Sequence, residues 1–449
     1  MSDTTSIWEN GDHPPPDPAP QVKPDPYGVL RIRNFRLLFL GSLVASIGQR
    51  MLSIAIGWEL YARTHSALVL GGVGLVMVLP VIFLSLPGGQ IADTHNRQRI
   101  ILITEGALAL ISLGLAVLSY NQAPIWMIYG CLLLMGCASA FNSPASSAFL
   151  SETIPEDSFE RAATWFNSSW QLASVIGPAL GGFSIALFQG TLPVYIFNTL
   201  AGIFMVLMVA QIRIQQTTFQ EPAEKKQTTL KDLGEGLQFL RHSPIILAAI
   251  TLDLFAVLFG GATTLLPIYA QDILKTGPTG LGWLDTAPSI GAICMTLLIA
   301  HRPPFRHAGR TLLLAVAGFG VATIVFGFST SFWLSLLMLF VLGALDNISV
   351  IIRSTLMLTR TPNHMRGRVS AVNSLFIASS NQLGGFESGA VAQWLGPMLT
   401  VITGGIGTIV VVLAVTGIWP QIRQLTTLNT PDSEQRAEAK IEEVVDATI

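Results

Sequence analysis

The stretch Gly89-Gln90-Ile91-Ala92-Asp93-Thr94-His95-Asn96-Arg97-Gln98-Arg99 lies between two apolar runs, residues 68–87 and 100–119. Each run has about the length of a helix that crosses a lipid bilayer. The connection is too short to reach from one membrane surface to the other. It therefore predicts two neighbouring membrane helices that meet at one surface, with an acid and two arginines in the turn between them.

The composition places the whole chain in a membrane. Hydrophobic residues make up 51% of the sequence and charged residues 12%, whereas a soluble domain carries about 25% charged residues. A transmembrane β-barrel is excluded because its strands alternate in hydrophobicity, and the apolar runs here are continuous. The net charge of −2 gives no indication of a nucleic-acid partner. The fold class that we predict is an all-helical integral membrane protein.

The cysteines do not form a chemical site. Cys131, Cys137 and Cys294 all fall in apolar runs, where a cysteine packs as a small apolar residue. Their spacing is that of neither a metal site nor a disulfide framework. No phosphate-binding loop and no Ser/His/Asp set lies at a predicted helix end. We therefore expect no metal, no cofactor and no enzymatic activity.

Run length predicts twelve crossings at about 20 residues each. The predicted spans are residues 35–61, 68–87, 100–120, 124–149, 162–188, 192–214, 244–273, 281–300, 311–328, 332–358, 369–394 and 398–419. The proline-rich N-terminal residues predict a disordered tail. The predicted organisation is a tail at 1–30, a six-helix bundle at 31–214, a linker at 215–243, a second six-helix bundle at 244–420 and a tail at 421–449.

Positive charge predicts the orientation of the chain. Under the twelve-span count nearly all lysines and arginines of the loops fall on one face, and Arg63 and Lys275 are the exceptions. By the positive-inside rule, that face is cytoplasmic. Both termini, the linker and the Asp93 turn are therefore expected in the cytoplasm.

The two halves resemble each other at an offset of about 206 residues, where the fifth predicted span overlays the eleventh. Pro155, Arg161 and Asn167 then correspond to Pro362, Arg366 and Asn373. Two repeated bundles joined by a cytoplasmic loop are typical of secondary transporters that rock between two open states.

The fifth predicted span contains Gly177-Pro178-Ala179-Leu180-Gly181-Gly182. Proline removes a backbone hydrogen bond and bends a helix, while glycine lets a neighbouring helix approach closely. The string is consistent with a functional bend in the helix or with an ordinary packing face made of small residues.

The turn resembles the loop between the second and third helices of the major facilitator superfamily. Gly89, Ala92, Asp93 and Arg97 match its pattern, whereas Thr94, Asn96 and Gln98 depart from it. The resemblance implies a gating role for Gly89, Asp93, Arg97 and Arg99, in which the loop latches the two halves. The alternative is that these residues only set orientation and cap helices.

Further motifs resemble the enterobactin-exporter branch of bacterial efflux permeases in this superfamily. They are Trp58-Glu59-Leu60-Tyr61, Leu86-Pro87-Gly88-Gly89, Leu252-Asp253-Leu254-Phe255 and Met365-Arg366-Gly367-Arg368-Val369-Ser370. Gly177, Pro178, Gly181 and Gly182 match the string that exporters carry in helix 5, although Ala173 stands where the longer motif has glycine. The resemblance implies export from a bacterial inner membrane.

Charged groups inside the predicted spans are costly in a bilayer and usually face a cavity or a partner. Asp253, Glu387 and Asp346 are our candidates for proton coupling, with a structural ion pair as the alternative. Arg50 is a candidate for holding an anionic substrate group or for neutralising one of these acids. For Glu59, near the outer surface, we favour a structural role.

Polar side chains complete the predicted substrate cavity. They are Gln49, Asn142, Asn167, Gln171 and Asn381, together with Arg50. For each amide taken singly, hydrogen bonding between helices is the alternative that we favour.

The sequence thus predicts a monomeric secondary transporter of the bacterial inner membrane whose partners are the lipid bilayer, a small-molecule substrate and a coupling proton. The predicted activity is export of a small amphipathic molecule, such as a siderophore or a drug-like compound. Sodium remains the alternative coupling ion. An importer of a small metabolite and a non-transporting membrane sensor remain the alternative functions.

Overall fold

A computed structural model describes residues 27–155, 158–213, 230–301, 307–362 and 365–425. Most of the N-terminal tail predicted at 1–30, about half of the predicted linker and nearly all of the C-terminal tail lie outside the described residues. Throughout the described ranges the chain forms helices joined by short turns, without a strand.

Six long helices form the first half of the protein. They are α1 (Arg33–Thr64), α2 (Ala67–Thr94), α3 (Arg97–Tyr120), α4 (Ile125–Thr153), α5 (Phe159–Phe188) and α6 (Leu192–Ala210). A short 3-10 helix, Gly28–Arg31, precedes them.

The second half begins after the linker helix α7 (Leu230–His242). Its helices are α8 (Pro244–Phe259), α9 (Gly277–Ala300), α10 (Ala308–Phe328), α11 (Phe332–Arg360), α12 (Arg366–Leu395), α13 (Pro397–Ile418) and the short α14 (Gln421–Gln424).

Eleven of the described helical segments are long and apolar enough to cross a membrane. The segment outside that set is α12, which has 30 residues but carries polar side chains such as Asn373, Asn381 and Glu387. It packs between α2 and α8, so part of its surface faces neighbouring helices and not lipid. The structure confirms the predicted all-helical membrane fold, with α12 as the crossing that its own hydropathy does not mark.

Helix packing is the same in the two halves. In the first bundle α2 packs on α4, and α3 packs on α4 and α6; in the second, α9 packs on α11, and α10 packs on α11 and α13. The contacts between the bundles follow the same rule, because α5 meets α9 and α2 meets α12. Each helix of one half therefore has a counterpart in the other, and α5 corresponds to α12 as the sequence offset predicts.

The seventh span is a discontinuous helix. After α8 it continues as a 3-10 turn, Gly261–Leu265, and ends in a π-helical turn, Tyr269–Ile273. A Cβ on Gly261 would lie 2.7 Å from the Gly384 carbonyl oxygen of α12, so glycine permits this close approach. The interruption exposes irregular backbone between the bundles, which is tolerated in a membrane where the backbone faces protein or a cavity.

Two turns show how local sequence ends the helices. α1 stops at His65, whose φ of 47° takes the backbone into the left-handed region. In the α2–α3 turn, the Asn96 side chain accepts a hydrogen bond of 3.0 Å from the Arg99 backbone N–H. Asparagine is a preferred residue at a helix N-cap because its side chain satisfies a free N–H of the first turn.

Glu59 fastens the first bundle near its end opposite the α2–α3 turn. Its Oε2 accepts hydrogen bonds from Ser119 (2.9 Å), Thr191 (2.7 Å) and Tyr195 (2.7 Å), and its Oε1 pairs with Arg63 at 3.1 Å. These partners tie α1 to α3 and α6. A buried carboxylate with this many donors is fully satisfied, which supports a structural role.

Replacing Glu59 by alanine is expected to destabilise the first bundle. The change removes the shared acceptor of three hydroxyls and of Arg63. Arg63 keeps the Ala123 carbonyl, and Ser119 and Thr191 keep each other, but the buried Tyr195 hydroxyl loses its acceptor, and a buried group left in that state costs about 1–3 kcal/mol. Thermal unfolding of the purified protein in detergent, followed by tryptophan fluorescence, measures the loss. Glu160→Ala, at an exposed position, is the control; equal melting of the two variants would contradict the structural role.

Candidate functional site

The two bundles touch through facing glycines. Gly182 of α5 packs against Gly282 of α9, and Gly389 of α12 packs against Gly71 of α2. A Cβ on Gly389 would lie 2.6 Å from the Gly71 Cα, and one on Gly282 would lie 2.5 Å from the Pro178 carbonyl oxygen. Any larger residue would force the backbones apart. Under the repeat, α5 corresponds to α12 and α9 corresponds to α2. The two glycine contacts between the bundles are therefore related by the pseudo-symmetry of the two halves.

These contacts lie at the end of the molecule opposite the α2–α3 turn, because Gly71 is near the start of α2. Hydrogen bonds between the bundles accompany them. Tyr61 donates to Asp272, Ser66 Oγ donates to Gln393 Oε1 over 3.0 Å, and Thr286 Oγ1 donates to a backbone carbonyl of α5 over 3.1 Å. We call this region the closed end.

A cavity of about 460 Å³ lies between the bundles, next to the closed end. It is lined by α1, α2, α4 and α5 of the first bundle and by the broken seventh span, α9 and α12 of the second. Much of the wall is apolar, as at Leu52, Leu70, Met77, Met135 and Leu281. Polar side chains form much of the remaining wall. A cavity that combines apolar surface with convergent polar groups is a usual form of small-molecule site.

The two charged residues that line the cavity belong to opposite bundles. Arg50 of α1 lies over the ring of Trp170, with its guanidinium carbon 4.5 Å from the ring centroid, which is a cation–π contact. Asp285 of α9 is near enough to interact electrostatically with Arg50. The cavity therefore presents a cation stacked on an aromatic ring and, across the bundle interface, a carboxylate.

The helix 5 glycine string positions both the cavity and the closed end. A Cβ on Gly177 would collide with the Cβ of Arg50, and one on Gly181 would lie 3.1 Å from the Met51 Cα. Gly177 and Gly181 thus bring α5 against α1 beside Arg50, while Gly182 faces the other bundle. Pro178 lies within the helix between them.

The predicted cavity residues divide into two groups. Gln49 and Asn381 line the cavity with Arg50. Asn142, Asn167 and Gln171 are not among the lining residues: Asn142 hydrogen-bonds to an acid of α3, Asn167 is exposed, and Gln171 is half-buried.

The three predicted proton-coupling acids lie outside the cavity wall. Asp253 forms a buried ion pair with Arg353, between α8 and α11 within the second bundle. Asp346 is half-buried on α11. Glu387 is half-buried on α12, where Ser388 Oγ lies 3.5 Å from its Oε2. Proton coupling by these acids stays a prediction.

The α2–α3 turn lies at the end of the molecule opposite the closed end. Arg97 pairs with Glu152 of α4, lies 3.9 Å from Asp93, and donates through Nε to the Ala92 carbonyl over 3.2 Å. All these partners belong to the first bundle. The gating role predicted for Gly89, Asp93, Arg97 and Arg99 also stays a prediction.

Asp285, Trp170 and Glu105 are not among the site residues that the sequence predicts. Asp285 and Glu105 are single acids inside predicted spans, so the criterion that selected Asp253 would have found them as well. Trp170 has no comparable signal in the sequence, because only its contact with Arg50 in the folded protein distinguishes it from other membrane tryptophans.

Comparison with known proteins gives a consistent picture. A family model described as Transmembrane secretion effector matches residues 25–448. The multidrug efflux pump Tap of Mycolicibacterium fortuitum is 25% identical over 406 residues, covering 88% of this chain and 98% of that protein. The enterobactin exporter EntS of Shigella boydii serotype 4 is 23% identical over 379 residues, covering 84% and 89%.

Solved structures agree in fold alone. A bacterial homolog of the human lysosomal transporter Spinster, in an inward-facing and unoccupied conformation, superposes with a TM-score of 0.68 at 12% identity, covering 90% of this chain and 99% of that one. The nucleoside transporter NupG gives 0.66 at 14% identity, covering 86% and 98%.

Alanine at Gly182 is expected to open the closed end. The added Cβ would collide with the Pro278 carbonyl of the other bundle, a backbone atom that cannot turn aside. A cysteine pair at Ser66 and Gln393, placed in a background without the native cysteines, should therefore cross-link less when Gly182→Ala is present.

Gly106→Ala is the matched control, since a Cβ at Gly106 of α3 meets open space. It should leave the Ser66–Gln393 cross-link unchanged. Equal cross-linking in both alanine variants would show that the glycine contact does not hold the bundles together.

Proposed function

We propose a specific transport function for this chain, which belongs to the Transmembrane secretion effector family of the major facilitator superfamily and is a membrane transporter and not an enzyme. The proposed function is export of a small amphipathic molecule across the bacterial inner membrane in exchange for protons. Two observations support export: one relative is named as an efflux pump and another as an exporter, and the helix 5 glycine string resembles the one that exporters of this superfamily carry.

The observation that carries the proposal is the cavity between the bundles with Arg50 and Asp285 on opposite walls. A site between two bundles becomes accessible from each side in turn when the bundles rock about it. Its apolar wall suits an amphipathic compound, and Arg50 with Trp170 suits a planar or anionic group. A siderophore or a drug-like molecule has these features.

Closure at one end supports alternating access. The glycine contacts and hydrogen bonds seal the cavity on the side opposite the α2–α3 turn. With the turn and both termini in the cytoplasm, as the positive-inside rule predicts, the closed end is the outer one. The Asp93 turn would then latch the bundles in the opposite state, when the cavity opens outward.

Asp285 joins Asp253, Glu387 and Asp346 as a candidate for the coupling proton. It is the acid that lines the cavity, so a proton and a substrate compete for the charges of the same site. In this scheme the ionised Asp285 carboxylate holds a positively charged or hydrogen-bond-donating group of the substrate, and protonation of Asp285 displaces that group, so that the proton and the substrate bind in alternation. Sodium is the alternative coupling ion.

An importer of a small metabolite and a non-transporting sensor are the alternative functions. The glycine string and the efflux relatives favour export over import. A sensor would bind ligand without moving it. Flux in vesicles therefore separates the alternatives.

Neutralising either cavity charge is expected to slow transport strongly. Losing a charge-assisted hydrogen bond costs about 1.5–3 kcal/mol, so Arg50→Gln and Asp285→Asn should reduce transport by roughly ten- to hundredfold. Inside-out membrane vesicles are assayed with a panel of siderophores and fluorescent dyes that the wild-type protein accumulates under a pH gradient, acidic inside.

Arg310→Gln, on an exposed arginine at the start of α10, is the matched control and should transport normally. Wild-type activity in both cavity variants would remove the cavity charges from the mechanism. If a sodium gradient drives accumulation and the pH gradient does not, sodium is the coupling ion in place of the proton.

The role of Asp253 is tested by exchanging its ion pair. Asp253→Asn leaves Arg353 buried without its partner, which costs about 3–5 kcal/mol, so lost transport alone would not separate stability from coupling. If Asp253 is structural, the double variant Asp253→Arg with Arg353→Asp should recover both melting temperature and transport. Recovered melting with transport still abolished would assign Asp253 to coupling.

A further inference from the structure

Glu105 of α3 is an acid in the first bundle that lies outside both the cavity and the Glu59 cluster. Its Oε1 accepts a hydrogen bond of 2.7 Å from Asn142 Nδ2 of α4. The Asn142 Oδ1 in turn accepts one of 3.0 Å from Ser146 Oγ. Glu105 therefore ends a short chain of neutral hydrogen-bonding groups.

The partners of Glu105 carry no charge. The ion pairs among the described residues include Glu59–Arg63, Glu152–Arg97, Asp253–Arg353 and Glu235–Arg368. None of the ion pairs in this part of the chain includes Glu105. An ionised carboxylate without a cation is costly inside a membrane bundle.

The helices around Glu105 also offer it no counter-charge. Neither α6 nor α2 has a lysine, an arginine or a histidine; the titratable groups there are Tyr195 of α6, which donates to Glu59, and Asp93 of α2, which lies at the α2–α3 turn. On α4, Glu152 lies ten residues beyond Asn142 and is already paired with Arg97. The remaining titratable groups of α4 are Tyr129, bonded to a backbone carbonyl of α2, and two thiols.

The position of Glu105 connects the α2–α3 turn with the cavity. Asn142 lies seven residues after Met135, so the two side chains share a face of α4 two turns apart, and Met135 lines the cavity. Glu105 lies eight residues after Arg97, the first residue of α3, which is about 12 Å at 1.5 Å per residue. It stands between the membrane surface and the cavity.

We propose that Glu105 is a proton-binding site of the first bundle, filled from the α2–α3 turn end. Its carboxylate takes up one proton and becomes a neutral carboxylic acid, which removes the uncompensated charge, and it releases that proton in the reverse step. Asn142 stabilises the ionised form by donating to Oε1. That this proton takes part in transport rests on the function proposed above.

The test uses dicyclohexylcarbodiimide, an apolar reagent that adds the protonated carboxyl group across its N=C bond. Full-length protein in lipid vesicles is treated between pH 5 and pH 9, and peptides are analysed by mass spectrometry. Glu105 should be labelled at low pH, and its labelling should fall by roughly tenfold for each pH unit above its midpoint. Glu152 and Glu59, which are paired with arginines, should stay unlabelled.

Asn142→Ala gives an independent readout. Without the Asn142 donor the ionised carboxylate is less stable, so the labelling midpoint of Glu105 should move to higher pH. Absence of Glu105 labelling at every pH, or labelling that does not vary with pH, would overturn the proton site. An unchanged midpoint in Asn142→Ala would do the same.

Transport separates this inference from the proposed function. If Glu105 takes part in coupling, Glu105→Gln should bind substrate but lose accumulation driven by the pH gradient, while substrate exchange without a gradient persists. Normal gradient-driven transport in Glu105→Gln would overturn the coupling role. If wild-type vesicles move no compound of the panel, the proposed function fails, and the labelling experiment still decides whether Glu105 binds a proton.

Discussion

The closest approach between the two bundles is a backbone contact that only glycine allows. Gly182 on Gly282 and Gly389 on Gly71 are the same contact made twice under the pseudo-symmetry. Side-chain hydrogen bonds such as that between Ser66 and Gln393 accompany this contact, so close backbone approach and a few polar groups together join the bundles at the closed end. Glycine permits equally close contacts inside a bundle, since a Cβ on Gly343 of α11 would lie 2.0 Å from the Pro288 carbonyl oxygen of α9. Small residues therefore set the helix spacing both within and between the bundles.

Buried charges in this protein serve two physical ends. Glu59 with Arg63, and Asp253 with Arg353, lie within single bundles and satisfy each other. Arg50 and Asp285 line the cavity from opposite bundles and interact electrostatically, so a movement of one bundle against the other would change their separation. The geometry of a charge pair that spans the interface depends on how the two bundles are arranged, whereas the geometry of a pair inside one bundle depends on that bundle alone.

The candidate site could be predicted from the sequence only in part. Arg50, Gln49 and Asn381 are polar groups in apolar spans, which is the feature that predicts a cavity residue, and they line the cavity. The same rule also chose Asp253, whose partner is Arg353, a residue 100 positions away. It did not separate the acids of the cavity wall from those of the bundle interiors, because hydropathy records that a charge is inside the membrane and not which neighbour it faces.

The sequence alone determined the membrane, the two helical bundles and the Asp93 turn, since run length and composition act locally on each segment. It also marked the helix 5 glycines, but not their partners Gly282 and Gly71, which lie on other helices. Only the tertiary structure decided which helices of the two bundles meet, and that Arg50, Trp170 and Asp285 share one cavity. These facts depend on helix rotation and on contacts between distant segments, and neither is encoded in the period of any single helix.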